Sequence, residues 1–419
     1  MREMKDSGIE WIGQIPKGWE LRRAKTLFTQ RNSKGNEIEV LLSPTQKYGV
    51  VPQSQLEGVV QVKEDTDLQM FKTVHKGDFV ISLRSFQGGF EYSLYEGVCS
   101  PAYQVFYPTS PICDTYYRYL FKSQSFISKM NNLTVGIREG KNIQYVDFAN
   151  SQIPVPPLAE QEHIAAFLDA ECAEIDAVLE KTRASIEEYK KLKQAVITQA
   201  VTKGIRGDRP MKDSGIEWVG EIPAEWSVVP FSKFARVSAN LVNPSDYQDY
   251  LQVSPENIEK DSGKLLPCKT VSEVGVESWN HFFHKGQILY SKIRPKLNKV
   301  CIAPFDGLCS ADMYPIDTDN ISKFVVYTIL SNDFNQQVAM ITENRVKMPK
   351  INQKELSKII VVLPADRMEQ QEIVDYLDGE CGKIDALIAK KQQYLTEIEN
   401  YKKSLIYEYV TGKKEVHPL

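Results

Sequence analysis

His281 and His284 stand at i and i+3 and form the only close histidine pair in the chain. Such a pair could begin a metal site on a helix face, but His-Phe-Phe-His leads into the strand-like run Gln287-Ile-Leu-Tyr-Ser291, and no third ligand stands nearby. Packing histidines are the simpler reading. Asn243-Pro-Ser-Asp-Tyr247 approaches the NPPY-type loop of amino-methyltransferases, yet it lacks the second proline, and no glycine-rich cofactor loop accompanies it. Glu139-Gly-Lys141 matches only the tail of a nuclease-type ExK element, which chance supplies in a chain with 25% charged residues. There is no GxxxxGK[ST], GxGxxG, HExxH or GxSxG. Seven cysteines (Cys99, Cys113, Cys172, Cys268, Cys301, Cys309, Cys381) include no CxxC pair and are odd in number, which argues against a zinc site and a disulfide framework.

What does recur is basic residues beside base-competent amides. Residues 281–300 carry Lys285, Lys292, Arg294, Lys296 and Lys299, with Asn298 among them and no acid. Residues 343–354 add Arg345, Lys347, Lys350 and Lys354. The first half has thinner sets at matching places: Arg84-Ser85-Phe-Gln87; Arg138, Lys141 and Asn142; and Gln46-Lys47. Lysine and arginine near phosphates supply salt-dependent affinity, while Arg to guanine and Asn or Gln to adenine can read sequence. A solvated charged face explains any one cluster, but recurrence in both halves favours DNA. The formal net charge of −4 means that such binding must come from local patches.

The elements that must position these residues come in two copies. MKDSGIEWIGQIPKGWE at 4–20 recurs as MKDSGIEWVGEIPAEWS at 211–227, an offset of 207. EQEHIAAFLDAECAEIDAVLEK at 160–181 recurs as EQQEIVDYLDGECGKIDALIAK at 369–390, an offset of 209. The chain is therefore a tandem duplication, and its 419 residues suit roughly two to four domains. Ser7 with Glu10, and Ser214 with Glu217, have capping-box spacing and predict a short helical turn. Trp11, Ile15, Pro16 and Trp19, with Trp218, Ile222, Pro223 and Trp226, then form an apolar strap that either caps the following core or docks a partner. Between the anchors, strand-like runs such as Gly77 to Leu83 and helical stretches at 115–123 and 323–330 predict mixed α/β domains.

Each copy closes with a long heptad helix. The a sites Leu168, Ile175, Thr182, Tyr189 and Val196 and the d sites Cys172, Leu179, Ile186, Lys193 and Ala200 have counterparts Leu377, Ile384, Lys391, Ile398, Leu405 and Cys381, Ile388, Leu395, Lys402, Tyr409. Mostly apolar seams of this kind predict that the two helices pack as a coiled coil. Pro156-Pro157 and Pro364 mark their starts, and Gly204 and Gly412 their ends. About 43 residues each gives ~65 Å, the length of a spacer. The chain carries no apolar run near the ~20 residues of a membrane span and no signal segment, so a cytosolic location is expected.

Together these features resemble the specificity subunit of type I restriction-modification systems over essentially the whole chain. The resemblance rests on the K-D-S-G-I-E-W-[IV]-G-x-I-P-x-x-W opening, on Pro156-Pro-Leu-Ala-Glu-Gln161 at the helix start, and on the Val201-Thr-Lys-Gly204 and Val410-Thr-Gly412 helix ends. The second copy departs at Leu363-Pro-Ala-Asp-Arg-Met-Glu-Gln370. The resemblance implies a mixed α/β, pseudo-twofold duplication: target-recognition domains at 1–157 and 205–364, spacer helices at 158–204 and 365–412 forming an antiparallel coiled coil, and a tail at 413–419. It implies a non-catalytic subunit of a bacterial or archaeal cytoplasm. Each domain would read half of an asymmetric bipartite duplex-DNA target, while the seam of Leu168, Ile175, Leu179, Ile186, Leu377, Ile384, Ile388 and Leu395 sets the gap. The first half-site would fall to Gln46, Lys47, Arg84, Ser85, Gln87, Arg138, Lys141 and Asn142, and the second to Lys292, Arg294, Lys296, Asn298, Lys299, Arg345, Lys347 and Lys350. No cofactor or metal would bind directly; two methylation subunits would bring S-adenosylmethionine, and restriction subunits ATP and Mg. Two other readings are a self-contained DNA enzyme with degenerate motifs and a coiled-coil protein that ignores DNA.

Overall fold

The computed structural model describes residues 2–35, 40–56, 67–83, 85–133, 143–345 and 348–416. Two compact units emerge, one of residues 1–182 with 393–419 and the other of 183–392. Each therefore contains one α/β domain, part of the long helix Leu158–Lys203 and part of the long helix Arg367–Val410.

In the first unit the strands Phe28–Arg31, Gln104–Pro108, Phe79–Ile81 and Glu91–Tyr92 lie side by side as an antiparallel sheet. The second unit repeats that order with Arg236–Val237, Met313–Asp317, Ile288–Ser291 and Val300–Ile302. The predicted helical stretches appear as Asp114–Lys122 and Ser322–Leu330. A separate ladder closes each domain: Glu20–Arg23 pairs with Gln152–Val155, and Ser227–Pro230 with Ile360–Leu363. Because the second strand of each ladder precedes a long helix, the ladder ties the start of the copy to its spacer.

The predicted short helical turn is present, with Ile9 O accepting from Ile12 N at 3.1 Å and from Gly13 N at 2.8 Å and Ile216 O doing the same in the second copy, but the capping box expected at its start is corrected and the turn sits inside a hairpin. Met4–Asp6 pairs with Gln14–Pro16, and Met211–Asp213 with Glu221–Pro223, as antiparallel hairpins. Ser7 Oγ accepts from Ile9 N at 3.1 Å rather than completing a capping box, and Asp6 Oδ1 accepts from Gly8 N at 2.9 Å. Gly8 and Gly13 sit at φ +69° and +66°, conformations that glycine reaches at little cost and that turn the chain into a hairpin.

That hairpin presents a tryptophan to the helix. Trp19 is fully buried and donates from Nε1 to Glu160 Oε2 at 2.9 Å; Trp226 is fully buried and donates to Glu369 Oε2 at 3.0 Å. The other oxygen of each carboxylate takes an arginine, Arg2 on Glu160 and Arg209 on Glu369. Each guanidinium also lies over its tryptophan, 5.3 Å and 5.1 Å from the ring centroid. The neighbouring glutamines bind the short helix of the same unit: Gln161 Oε1 accepts from Cys113 N at 2.9 Å, and Gln370 Oε1 from Ile321 N at 3.0 Å.

Within both units the two long helices run antiparallel. In the first, Phe167 stacks on Tyr409 with centroids 4.5 Å apart, and Asp176 pairs with Lys402 at 2.6 Å. In the second, Lys391 lies 5.6 Å over Tyr189, and Lys193 pairs with Asp385 at 2.7 Å. Residue numbers rise on one helix as they fall on the other. Every predicted a and d site is buried or half-buried. The helix ends close on the hairpins: Gly412, at φ +70°, leaves a Cβ only 2.5 Å from Pro16 Cδ, and Gly204, at φ +74°, faces Arg209 in the same way. Among the described residues no helix is long and apolar enough to cross a membrane.

Glu369→Ala strands the Trp226 indole N–H and removes one of the two carboxylates on Arg209, which keeps Glu225 at 3.1 Å, so it is expected to cost roughly 1–3 kcal/mol of stability in the second unit. Calorimetry should show one unfolding step move down while the other, belonging to the unit held by Glu160, stays in place.

Candidate nucleic-acid interface

The sequence-selected residues of the second unit come from two segments that the fold joins. Arg294 N donates to Pro349 O at 2.8 Å, Ile351 N donates to Lys292 O at 2.9 Å, and Ile293 bridges Lys350. Arg294, at φ +44°, opens the short turn Pro295–Leu297 and is exposed, as is Lys296. Lys292 is half-buried 5.2 Å over the Tyr314 ring, and Lys299 Nζ donates to Pro255 O at 2.7 Å. Lys350 pairs with Asp312 at 2.9 Å, and Arg345 makes a two-pronged pair with Glu355. Arg345 and Lys350 are thus tied to acids, which leaves Arg294 and Lys296 as the protruding cations of this turn.

Two selected residues face inward. Ser85 is buried and its Oγ accepts from Ser82 N at 2.8 Å, starting the turn Ser85–Gly88. Asn298 is buried with φ +46°, and neither of its amide atoms has a partner among the described residues. These two do not lie where a base edge could reach them; Ser85 spends its hydroxyl on the Ser82 amide, and Asn298 supplies a left-handed backbone site that asparagine tolerates. Arg84, Arg138, Lys141, Asn142 and Lys347 lie outside the described residues.

In the first unit, Gln46 and Lys47 form the tip between strands Leu42–Thr45 and Gly49–Pro52. Gln46 Nε2 lies 3.4 Å from Gln87 Oε1, so the fold brings together two residues 41 positions apart. Lys47 Nζ stands 4.6 Å over the ring of Tyr48, which is 60% exposed. Beneath the tip, Lys122 Nζ donates to Gln46 O at 3.3 Å and to Glu91 at 2.6 Å. Burial pushes the Glu91 carboxyl up to about 7, with Lys122 pulling the other way. Sequence reading missed Lys122, Glu91 and Tyr48; only the adjacency of Tyr48 to Gln46-Lys47 was visible there.

The motifs set aside on sequence grounds have structural employment. Asn243 Oδ1 accepts from Ser245 N at 3.2 Å and caps the turn Pro244–Tyr247. His281 is buried in the strand Asn280–Phe283, where burial and nearby Lys292 hold its pKa down, while His284 is exposed beyond the strand end.

A frame written twice, carrying differing exposed tips, defines a duplicated recognition scaffold. The family described as "Type I restriction modification DNA specificity domain" matches residues 16–188 and 232–400. The chain is 33% identical over 351 residues to the type I restriction enzyme EcoDI specificity subunit of Escherichia coli, covering 78% of this chain and 76% of that protein. It is 26% identical over 300 residues to the MjaVIII specificity subunit of Methanocaldococcus jannaschii, covering 67% of each. A solved structure from work on complex assembly and conformational transition of the type I R-M system shares the fold, with a TM-score of 0.68 and 14% identity over 96% of this chain and 99% of that one. The chain belongs to the specificity subunits of type I restriction-modification systems, which target the enzyme and are not themselves catalytic.

Two measurements test this geometry. Arg294→Ala should lower DNA affinity of the assembled complex and, if it meets a phosphate, reduce the salt slope by about one, whereas Arg345→Ala should act mainly on stability through Glu355. The second concerns pH. A folded-state pKa of about 7 against the usual 4.5 means that folding favours protonated Glu91. Its contribution is full below about 4.5 and lost as pH rises through about 7. Melting curves of Glu91→Gln should therefore fall less between pH 5.5 and 8 than those of the unsubstituted protein.

Proposed function

We propose that each α/β domain reads one half of an asymmetric bipartite duplex-DNA sequence and that the paired long helices set the distance between the halves. The observation that carries this reading is the contrast between frame and tips. The Trp–Glu–Arg clamp recurs in both units and the hairpin keeps its octapeptide, whereas the turns that follow the equivalent strands Phe79–Ile81 and Ile288–Ser291 differ, with exposed Gln87 in one and Arg294-Pro-Lys296 in the other. A repeated frame suits two similar docking tasks on duplex DNA, and unlike tips suit two different half-sites. Two methylation subunits would join this assembly and bring S-adenosylmethionine; restriction subunits would bring ATP and Mg. The chain's own part is to choose the site and hold the spacing, in the cytoplasm of its host.

The helical spacer makes a length prediction. Seven residues added at matching points of both helices preserve the seam and lengthen it by ~10 Å, which corresponds to a gap wider by up to about three base pairs. Mapping modified adenines in DNA exposed to the assembled variant reads the gap directly, and a gap identical to that of the unsubstituted complex would refute the spacer role. Methyl transfer or DNA cleavage by the purified chain alone, given S-adenosylmethionine or Mg, would overturn the division of labour.

A further inference from the structure

We infer that Gln46 and Gln87 act as one composite reader of an adenine in the first half-site, and that Lys122 positions it. This inference rests on the function proposed above.

The chemistry follows from how the two amides share hydrogen bonds. Gln46 Nε2 donates to Gln87 Oε1, which leaves Gln46 Oε1 as an acceptor and Gln87 Nε2 as a donor, with no other partners among the described residues. Exchanging O and N on both amides still leaves one donor and one acceptor facing outward. In the major groove adenine offers the complementary set, a donor at N6 and an acceptor at N7. Thymine and guanine present acceptors without a donor, and cytosine a donor without an acceptor. Both glutamines are exposed, so the pair is free to meet a base edge.

The tip is built to hold this pair still. Gly88 lies against the Gln46 stem so closely that a Cβ there would stand 2.6 Å from Gln46 Cγ and 2.9 Å from Cδ. Gly89, at φ +77°, is packed onto the backbone of Phe121, where a Cβ would come within 2.1 Å of the carbonyl oxygen. From below, Lys122 at the end of Asp114–Lys122 holds the Gln46 carbonyl and is itself fixed by buried Glu91. Two glycines and one ammonium thus fix both the backbone and the stem of the reading residue. Such preorganisation lowers the entropy lost when the amides engage DNA.

The test uses the chain assembled with its methylation subunits and maps modified adenines by sequencing. Gln46→Leu and Gln87→Leu should each relax the same single A·T position of the first half-site, reducing discrimination there by roughly five- to a hundredfold. Gly88→Ala displaces Gln46 without removing an amide and should relax that position too. Lys122→Met should do the same while Lys122→Arg retains the preference; if the Met variant does not fold, Gly88→Ala carries the positioning test. The second half-site and the gap should stay unchanged throughout. Relaxation at two different positions by the two Leu variants, or at none, would overturn the composite reader. If the unsubstituted complex modifies no bipartite motif, the proposed function itself falls, an outcome distinct from a bipartite motif that these substitutions leave untouched.

Discussion

The carboxylates of Glu160 and Glu369 are the points on which each unit closes. One oxygen takes a fully buried indole N–H and the other a guanidinium that also covers the same indole. Two regions distant in sequence meet there: the opening hairpin with the residues on either side of it, and the first turn of a long helix. An unpaired buried carboxylate would be costly, so the clamp tolerates little rearrangement of any partner. Gln161 and Gln370, one residue further on, extend the same junction to the short helix of each α/β domain. Orientation of a domain on its spacer therefore rests on two adjacent polar side chains per unit, surrounded by apolar packing.

The spacer seam adds a second polar device. Lys193 and Lys402 occupy d sites in otherwise apolar rows, and each reaches an aspartate on the facing helix within its own unit. Asp176 and Asp385 are themselves equivalent at an offset of 209, so the two ion pairs are copies of one another. A lysine at a seam position contributes little net stability, but it favours the one alignment in which its charge is met. Lys264 also approaches Asp385, at 3.5 Å, so in the second unit this carboxylate joins the seam to the α/β domain.

Legibility differed from one part of the molecule to another. The duplication, the helix limits at Gly204 and Gly412 and the seam could be read directly, because periodicity and repeats are local or statistical properties of a chain. The short helical turn was legible from spacing but its capping was not: Ser7 Oγ accepts from Ile9 N instead of forming a box with Glu10, and the hairpin around the turn depends on the positive φ of Gly8 and Gly13. Cations were picked by type, and type does not reveal pairing: Arg345 and Lys350 meet Glu355 and Asp312, whereas Arg294 protrudes from its turn. Ser85 and Asn298 look like surface groups in sequence, yet a bond to the Ser82 amide and a left-handed turn draw them inside.

By itself the sequence determined that two copies of one frame are joined by helices long enough to act as a spacer, since octapeptide identity and heptad spacing are carried by residue order alone. Only the tertiary structure decided that each unit draws on both helices, that Trp19 and Trp226 close on Glu160 and Glu369, and that Gln46 meets Gln87 above Lys122. Those are contacts between residues tens to hundreds of positions apart, and they exist because burial and hydrogen bonding are settled by the whole packed chain.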